Sequence, residues 1–276
     1  MIKKTSMRSA LTMVELVFVI VILGIVSSIA ADIIAQTYQS YIMQRAQYRS
    51  TTKTELALTQ IANRLRYAIP TTVGFRATTA DAFHFITENN SGNDKVLQWV
   101  GYDGDSFEAH ETTTNRNPGW SGFCDVDAYT GNTNFPTPGS NIDFAADIIE
   151  NLGGDIDDAK IIFPDNTAYG ISGGADESIT LDNAIPSGSR IYERYKLAWT
   201  SYALSVEDGD LYLYYNFMPD VGAPIEGASK VLLLKKVTNF RFKGSEGSLR
   251  VKICKEEQIG MNEEATVHAC KEKVIF

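Results

Sequence analysis

One ionisable residue stands inside a long apolar stretch near the N-terminus. Residues 11–31 read LTMVELVFVIVILGIVSSIAA, and Glu15 is the only charged residue among them. A charged side chain at the centre of a bilayer costs about 2.5 to 3.5 kcal/mol, so such residues are rare there and pair with another polar group. Glu15 therefore predicts a function that supplies a partner for its carboxylate.

The sequence has three cysteines, Cys124, Cys254 and Cys270. Fifteen residues separate Cys254 from Cys270 near the C-terminus, with strand-like sequence leading into one and out of the other. We predict a disulfide between these two and a free thiol at Cys124. Spacing alone does not fix connectivity, and three unpaired buried thiols are the alternative.

Residue types that often perform catalysis or bind metals form no recognisable motif. His84, His110 and His268 have no metal-ligand or catalytic spacing to a cysteine or carboxylate. The acidic stretches 103–105 and 155–158 offer the oxygen ligands that Ca²⁺ prefers, but neither fits the twelve-residue EF-hand pattern, and solvated acidic turns explain both. We predict a protein that is not an enzyme and that needs no cofactor or metal.

The charge balance of the chain is acidic. The sequence has 25 Lys and Arg against 34 Asp and Glu, a formal charge of -9. Nucleic-acid-binding surfaces need clustered Lys and Arg that contact phosphates. We therefore expect no general nucleic-acid binding, while a small local basic patch is compatible with the composition.

The apolar stretch has the length of a membrane-spanning helix. At a rise of 1.5 Å per residue, 21 residues form a helix of about 30 Å, which matches the hydrocarbon core of a bilayer. Lys3, Lys4 and Arg8 precede the stretch, and most of the chain follows it. The positive-inside rule then predicts that residues 1–10 are cytoplasmic and that the bulk of the chain is outside, where disulfides persist.

The sequence from Arg8 to Ile20 resembles the N-terminal signal of type IV pilins and type II secretion pseudopilins. In that family a short basic leader ends in a small residue, a hydrophobic residue begins the mature chain, and a glutamate is its fifth residue. Here Ala10 ends the leader, Leu11 begins the mature chain and Glu15 is its fifth residue, with Ala for the usual Gly and Leu for the frequent Phe. The resemblance implies cleavage after Ala10 by a prepilin peptidase and N-methylation of Leu11. It also implies that Glu15 pairs with the N-terminal amine of a neighbouring subunit.

Two other interpretations of this segment stay open. It can be a plain membrane anchor in which the Glu15 side chain extends to water at the interface. It can also be a conventional secretory signal, since Ser28, Ala30 and Ala31 put small residues at positions suited to cleavage. The apolar region of such a signal would be longer than usual and would contain a charge.

The first element of the mature chain is predicted to be one long helix. No proline occurs before Pro70, and apolar residues recur at helical spacing from Leu58 to Ile69. We predict a helix to about Ile69, with residues 11–31 in the membrane and an amphipathic half at residues 32–69. The apolar stripe of the second half would pack against a globular head.

The rest of the chain, residues 70–276, is predicted to form a β-rich head. Short β-type runs alternate with clusters of Gly, Asn, Asp and Pro, and Asp208-Gly209 between two runs is a hairpin signal. The predicted fold class is α+β, a long N-terminal hydrophobic helix packed on a mainly antiparallel β-sheet head. The predicted strands are 82–87, 96–102, 106–111, 160–163, 196–206, 211–217, 230–234, 237–243 and 248–254, with a short helix at 143–152.

The C-terminal strands give a second resemblance. Residues 209–215 and 231–242 look like the head of the larger minor pseudopilins, the J-type or W-type subunits. Together the resemblances imply a minor pilin or pseudopilin, a single-pass protein of the bacterial inner membrane whose periplasmic head joins a filament. The implied partners are other pilin or pseudopilin subunits, the prepilin peptidase and the inner-membrane assembly platform. The alternatives are a minor pilin that acts as an adhesin or in DNA uptake, and a membrane-anchored or secreted enzyme.

Overall fold

The structure is a computed structural model that describes residues 12–88, 94–114, 116–245, 247–259 and 262–275. Two compact units divide the chain: Met1–Arg49 with Glu257–Val267, and Ser50–Glu256 with His268–Phe276. The helices are α1 (Met13–Leu65), α2 (Gly104–Glu108) and α3 (Ile142–Asn151). The strands are β1 (Gly74–Arg76), β2 (His84–Phe85), β3 (Val96–Gly101), β4 (Asn134–Pro136), β5 (Lys160–Ile162), β6 (Ala168–Ala175), β7 (Ser178–Leu181), β8 (Lys196–Ala198), β9 (Thr200–Glu207), β10 (Asp210–Phe217), β11 (Ser229–Leu234), β12 (Val237–Ser245), β13 (Ser248–Ile259) and β14 (Asn262–Ile275).

The long helix α1 ends at Leu65, four residues before the predicted end. A residue that precedes proline is disfavoured in the helical region, and Ile69 before Pro70 is extended, with φ -82° and ψ 110°. The Ile69 amide instead donates to the Val100 carbonyl oxygen at 2.9 Å. The chain therefore leaves the helix early and runs beside β3.

Three sheets carry the strands, and the described strand pairs are antiparallel. A six-stranded sheet has the order β11-β10-β9-β3-β1-β2, a five-stranded sheet the order β4-β7-β6-β5-β8, and a three-stranded sheet the order β12-β13-β14. The α+β prediction of a long helix on a mainly antiparallel head is confirmed.

The last part of α1, Ser50–Leu65, supplies one side of the main core of the second unit. Its apolar residues recur three and four positions apart, so they share one face of the helix. The six-stranded and three-stranded sheets provide most of the rest of this core. The buried members include Leu58, Ile61 and Leu65 of α1, Leu97, Trp99, Leu204 and Leu213 of the larger sheet, and Phe242, Leu249, Val251 and Ile253 of the smaller one.

Residues 102–199 form an insertion between two neighbouring strands. β3 and β9 pair directly, with Trp99 opposite Tyr202, although about a hundred residues separate them in sequence. The insertion holds α2, α3 and the five-stranded sheet, and it has a core of its own. The largest buried side chains of that core are Trp120, Phe135, Ile142, Ile149, Ile161, Phe163 and Ile171.

Several predicted elements have their counterparts in the structure. The helix predicted at 143–152 is α3, and the predicted hairpin joins β9 to β10. Asp208 and Gly209 both have positive φ angles, 51° and 80°, as a two-residue hairpin turn of the favoured kind requires.

Two predicted strands are wrong. The first half of the strand predicted at 106–111 lies in the helix α2, because the Asp103 side chain accepts a hydrogen bond from the Ser106 amide at 3.2 Å and caps a helix start. The strand predicted at 196–206 is two strands, β8 and β9, which lie in different sheets. The predicted strands 211–217 and 230–234 lie in the six-stranded sheet, whereas 237–243 and 248–254 lie in the three-stranded sheet.

Candidate functional site at the start of the long helix

The first turn of α1 holds Glu15 by reciprocal hydrogen bonds with Thr12. The Thr12 amide and hydroxyl donate to the same Glu15 carboxylate oxygen, Oε2, at 3.2 Å and 3.1 Å. In return, the Glu15 amide donates to the Thr12 hydroxyl oxygen at 3.4 Å. This is a capping box, in which two otherwise unpaired amides at a helix start are satisfied together.

The carboxylate also suits the electrostatics of the helix start. Unpaired amides give a helix N-terminus a partial positive charge, which stabilises a nearby anion. An ionised carboxylate has about four lone-pair sites, and the Thr12 amide and hydroxyl occupy two. Glu15 therefore retains capacity to accept hydrogen bonds from a second donor.

In residues 13–31, α1 is exposed and carries apolar side chains on every side. Met13, Phe18 and Ile22 are 88%, 65% and 57% exposed. One window of the helix has a mean hydropathy of 2.7, and none of that window is buried inside the chain. By length and composition, α1 is the one helix in the described part of the chain that can cross a membrane.

The other residues of the predicted processing site are Ala10 and Leu11. Both lie outside the described residues, so the cleavage prediction stays a prediction. The structure describes Glu15 and adds Thr12, which the sequence interpretation missed. The sequence could have indicated the role of Thr12, because Thr-x-x-Glu immediately before an apolar run is the sequence signature of a capping box.

The predicted disulfide joins β13 to β14. Cys254 and Cys270 are bonded, and their Cα atoms are 4.0 Å apart. Cys124 is a free, buried cysteine inside the core of the insertion. Burial raises the pKa of the Cys124 thiol to about 12, and the neighbouring Asp125 contributes in the same direction. A thiol with so high a pKa is a poor nucleophile.

The two acidic stretches that were considered for calcium have structural roles. Asp103 caps α2, and Asp155 caps a short 3-10 turn at Ile156–Asp158 by accepting from the Asp157 amide at 3.0 Å. Burial raises the pKa of Asp103 to about 6, despite the hydrogen bonds from Ser106. Within the described residues, no three His, Cys, Asp or Glu side chains come together as a metal site.

The histidines do not form a common centre in the described structure. His84 Nδ1 lies 3.1 Å from a Glu88 carboxylate oxygen, four residues away on the surface. The N-terminal turn and the exposed apolar helix are therefore the candidate functional site.

Comparison of the chain with protein-family models, with curated proteins and with solved structures gave no match in any of the three.

Proposed function

We propose that this chain is a minor subunit of a type IV pilus-like or type II secretion pseudopilus filament. One observation carries the proposal. An apolar helix that is exposed on all sides has a carboxylate, Glu15, in its first turn, and Glu15 is the fifth residue after Ala10, where the pilin-like motif implies cleavage. The role is structural and non-catalytic. The partners we propose are the other filament subunits, the prepilin peptidase and the inner-membrane assembly platform.

The exposed apolar surface of α1 supports an assembly role. A helix that is apolar all round is stable only when another apolar medium covers it. A bilayer supplies that medium before assembly, and the corresponding helices of other subunits supply it in a filament. We propose that the chain spans the inner membrane once, with a periplasmic head.

The capping box supports a double role for Glu15. In one chain the carboxylate caps its own helix through Thr12. In a filament it would also accept hydrogen bonds from the N-terminal amine of a neighbouring subunit. Such a pair neutralises two charges that are costly in an apolar medium.

N-terminal mass spectrometry of the mature protein tests the processing step. The proposal expects a chain that begins with N-methyl-Leu11. A chain that begins at Ala31 would identify a conventional secretory signal and contradict the proposal. An uncleaved chain would identify a plain membrane anchor, which contradicts it as well.

Two substitutions at one position separate the cap from the charge. Glu15→Gln retains a side-chain acceptor for the capping box but removes the charge, whereas Glu15→Ala removes both. If the carboxylate pairs with a neighbour's amine, both variants insert into the membrane and are cleaved, but neither co-purifies with the other filament subunits.

Asp32→Asn is the matched control, since Asp32 is an exposed acid farther along the same helix. We expect this variant to co-purify like the wild type. Normal co-purification of Glu15→Gln, together with failure of Glu15→Ala, would mean that only the cap is needed. That result would contradict the proposed amine pairing.

A further inference from the structure

Four cationic side chains form a two-by-two array on the outer face of β12 and β13. Arg241 lies directly opposite Lys252, and Lys243 lies directly opposite Arg250. The alternate residues of the same strands, Phe242 and Val251 among them, point into the core and are buried, whereas the four cations are exposed. We call these four residues the cationic array.

The array is unfavourable for folding as it stands. Like charges directly opposite each other on neighbouring strands are destabilising. Arg250 has a partner, since its Nη1 lies 3.0 Å from a Glu272 carboxylate oxygen on β14. The described residues place no carboxylate oxygen within 4.0 Å of the charged nitrogens of Arg241, Lys243 or Lys252. Within the described residues, three clustered cations are therefore without an ion pair, although the formal charge of the chain is -9.

A groove of about 390 Å³ runs along this array. All four cations line it, and residues 86–88 form part of its other wall. Ile86 packs against β12 at Gly244, on the face opposite to the array, where an added Cβ would lie 2.7 Å from the Ile86 side chain. Glu88, Asp94 and Glu272 add negative charges to the lining.

We propose that this groove binds an extended segment of a protein partner that has carboxylates at alternate positions. Side chains two residues apart on a strand point the same way and repeat every 6.6 Å or so. Arg241 and Lys243 have this repeat on β12, and Arg250 and Lys252 have it on β13. An extended partner with alternating acids would match it and would offset the repulsion within the array.

The mixed charge of the groove favours a protein over a nucleic acid. A phosphate backbone is negative along its whole length, so it would be repelled by the acids of the same groove. A protein segment can present carboxylates to the array and other side chains to Glu88 and Asp94. The inference depends only on the charges of the head, and it stands whether or not the chain joins a filament.

Binding of a designed peptide to the full-length protein in non-ionic detergent tests this inference. The probe is a fluorescein-labelled peptide of alternating Glu and Ser with a Lys at each end, and the comparison peptide has Gln in place of Glu. We expect the Glu peptide to bind at least about tenfold more tightly than the Gln peptide. We expect the double variant Arg241→Gln, Lys252→Gln to weaken its binding by about tenfold.

The matched control is the double variant Arg116→Gln, Arg190→Gln. It removes the same charge from two exposed positions outside the array. It should change the peptide affinity by less than about twofold if the array binds locally. Equal weakening by both double variants would mean general attraction by net charge and would overturn the inference. Tighter binding of a 20-nucleotide single-stranded DNA than of the Glu peptide would also overturn it.

A stability measurement excludes misfolding as the cause of lost binding. Arg241→Gln relieves the repulsion with Lys252, so the thermal midpoint of the head should stay the same or rise while peptide binding falls. A midpoint that falls together with binding would mean that the array serves the fold. That outcome would contradict a binding role.

Discussion

The two parts of α1 carry apolar side chains in different ways. In residues 13–41 they are exposed around the whole helix, with Phe18 at 65% and Leu23 at 62%. In residues 50–65 all of them except the exposed Leu56 form one stripe, and Ile61 and Leu65 are 1% and 0% exposed. The difference shows that one helix can meet two environments: the stripe completes a core within the chain, whereas the all-round surface requires an apolar medium from outside it.

Removing the same apolar group from each part should have opposite consequences. Leu65→Ala leaves a cavity in the core, so we expect the free energy of unfolding of the head to fall by about 2 to 5 kcal/mol. Leu23→Ala should leave it unchanged, because Leu23 makes no part of that core. Urea unfolding of the full-length protein in detergent, followed by tryptophan fluorescence, measures both. Similar losses in the two variants would contradict the proposed division of α1.

The disulfide should stabilise the head and have no effect on the proposed membrane attachment. In the chain-entropy description, closing a loop of about 15 residues contributes about 3 kcal/mol. Replacing Cys254 and Cys270 together by Ser should lower the free energy of unfolding by about this amount. Carbonate extraction of membranes should still recover the variant in the pellet. Its appearance in the soluble fraction would show that attachment depends on the head.

Two carboxylates cap helices in contrasting surroundings, since Glu15 is exposed and Asp103 is 3% exposed. Burial raises the pKa of Asp103 from 3.8 to about 6, so the folded state binds more protons than the unfolded state between those values. Ionisation of the Asp103 carboxyl should therefore lower the free energy of unfolding by roughly 2 to 3 kcal/mol as the pH rises from about 4 to 6. Asp103→Asn, which keeps an acceptor for the cap, should remove this component from a pH series of unfolding experiments.

Asp147→Asn serves as the control for that series. Asp147 is an exposed acid of helix α3 and is not among the groups that shift the pKa of Asp103, so this variant should retain the Asp103 component. A pH profile unchanged by Asp103→Asn would show that the Asp103 carboxyl is not the titrating group.

The smallest expected effect concerns the first turn of α1. Thr12→Ala removes both of the hydroxyl's hydrogen bonds with Glu15, and loss of such a cap costs about 1 kcal/mol. The cost should be confined to the first turns, so amide hydrogen exchange should accelerate there and stay unchanged in Ser50–Leu65. Thr12→Ser, which keeps the hydroxyl, should behave like the wild type. Faster exchange throughout α1 would mean that the two parts unfold together.

Local patterns predicted much of this structure. The exposed apolar helix, the Asp208-Gly209 hairpin and the helix α3 each depend on a short stretch of sequence, and the structure contains all three. The disulfide was also predicted, because strand-like sequence adjoins both cysteines. Glu15 stood out as the single charge of an apolar run, although its capping partner Thr12 was not recognised.

Features that depend on distant contacts were not predicted. The pairing of β3 with β9 joins segments on either side of residues 102–199, and no local pattern specifies such a pair. The strand predicted at 106–111 failed because the cap at Asp103 outweighed the alternation of polar and apolar residues. The segment predicted as one strand at 196–206 is divided for the same reason. Its first residues form β8, the last strand of the insertion, whereas the others form β9 of the six-stranded sheet.

The burial of Cys124 has a consequence for oxidative folding. Three cysteines allow three different single bridges, and two of those bridges would use Cys124. Cys124 belongs to the separate core of the insertion, which can form from contacts among residues 102–199 alone. Contacts between residues close in sequence form faster than those between distant ones. Early closure of that core would shield the thiol from oxidants and direct the pairing toward Cys254 and Cys270.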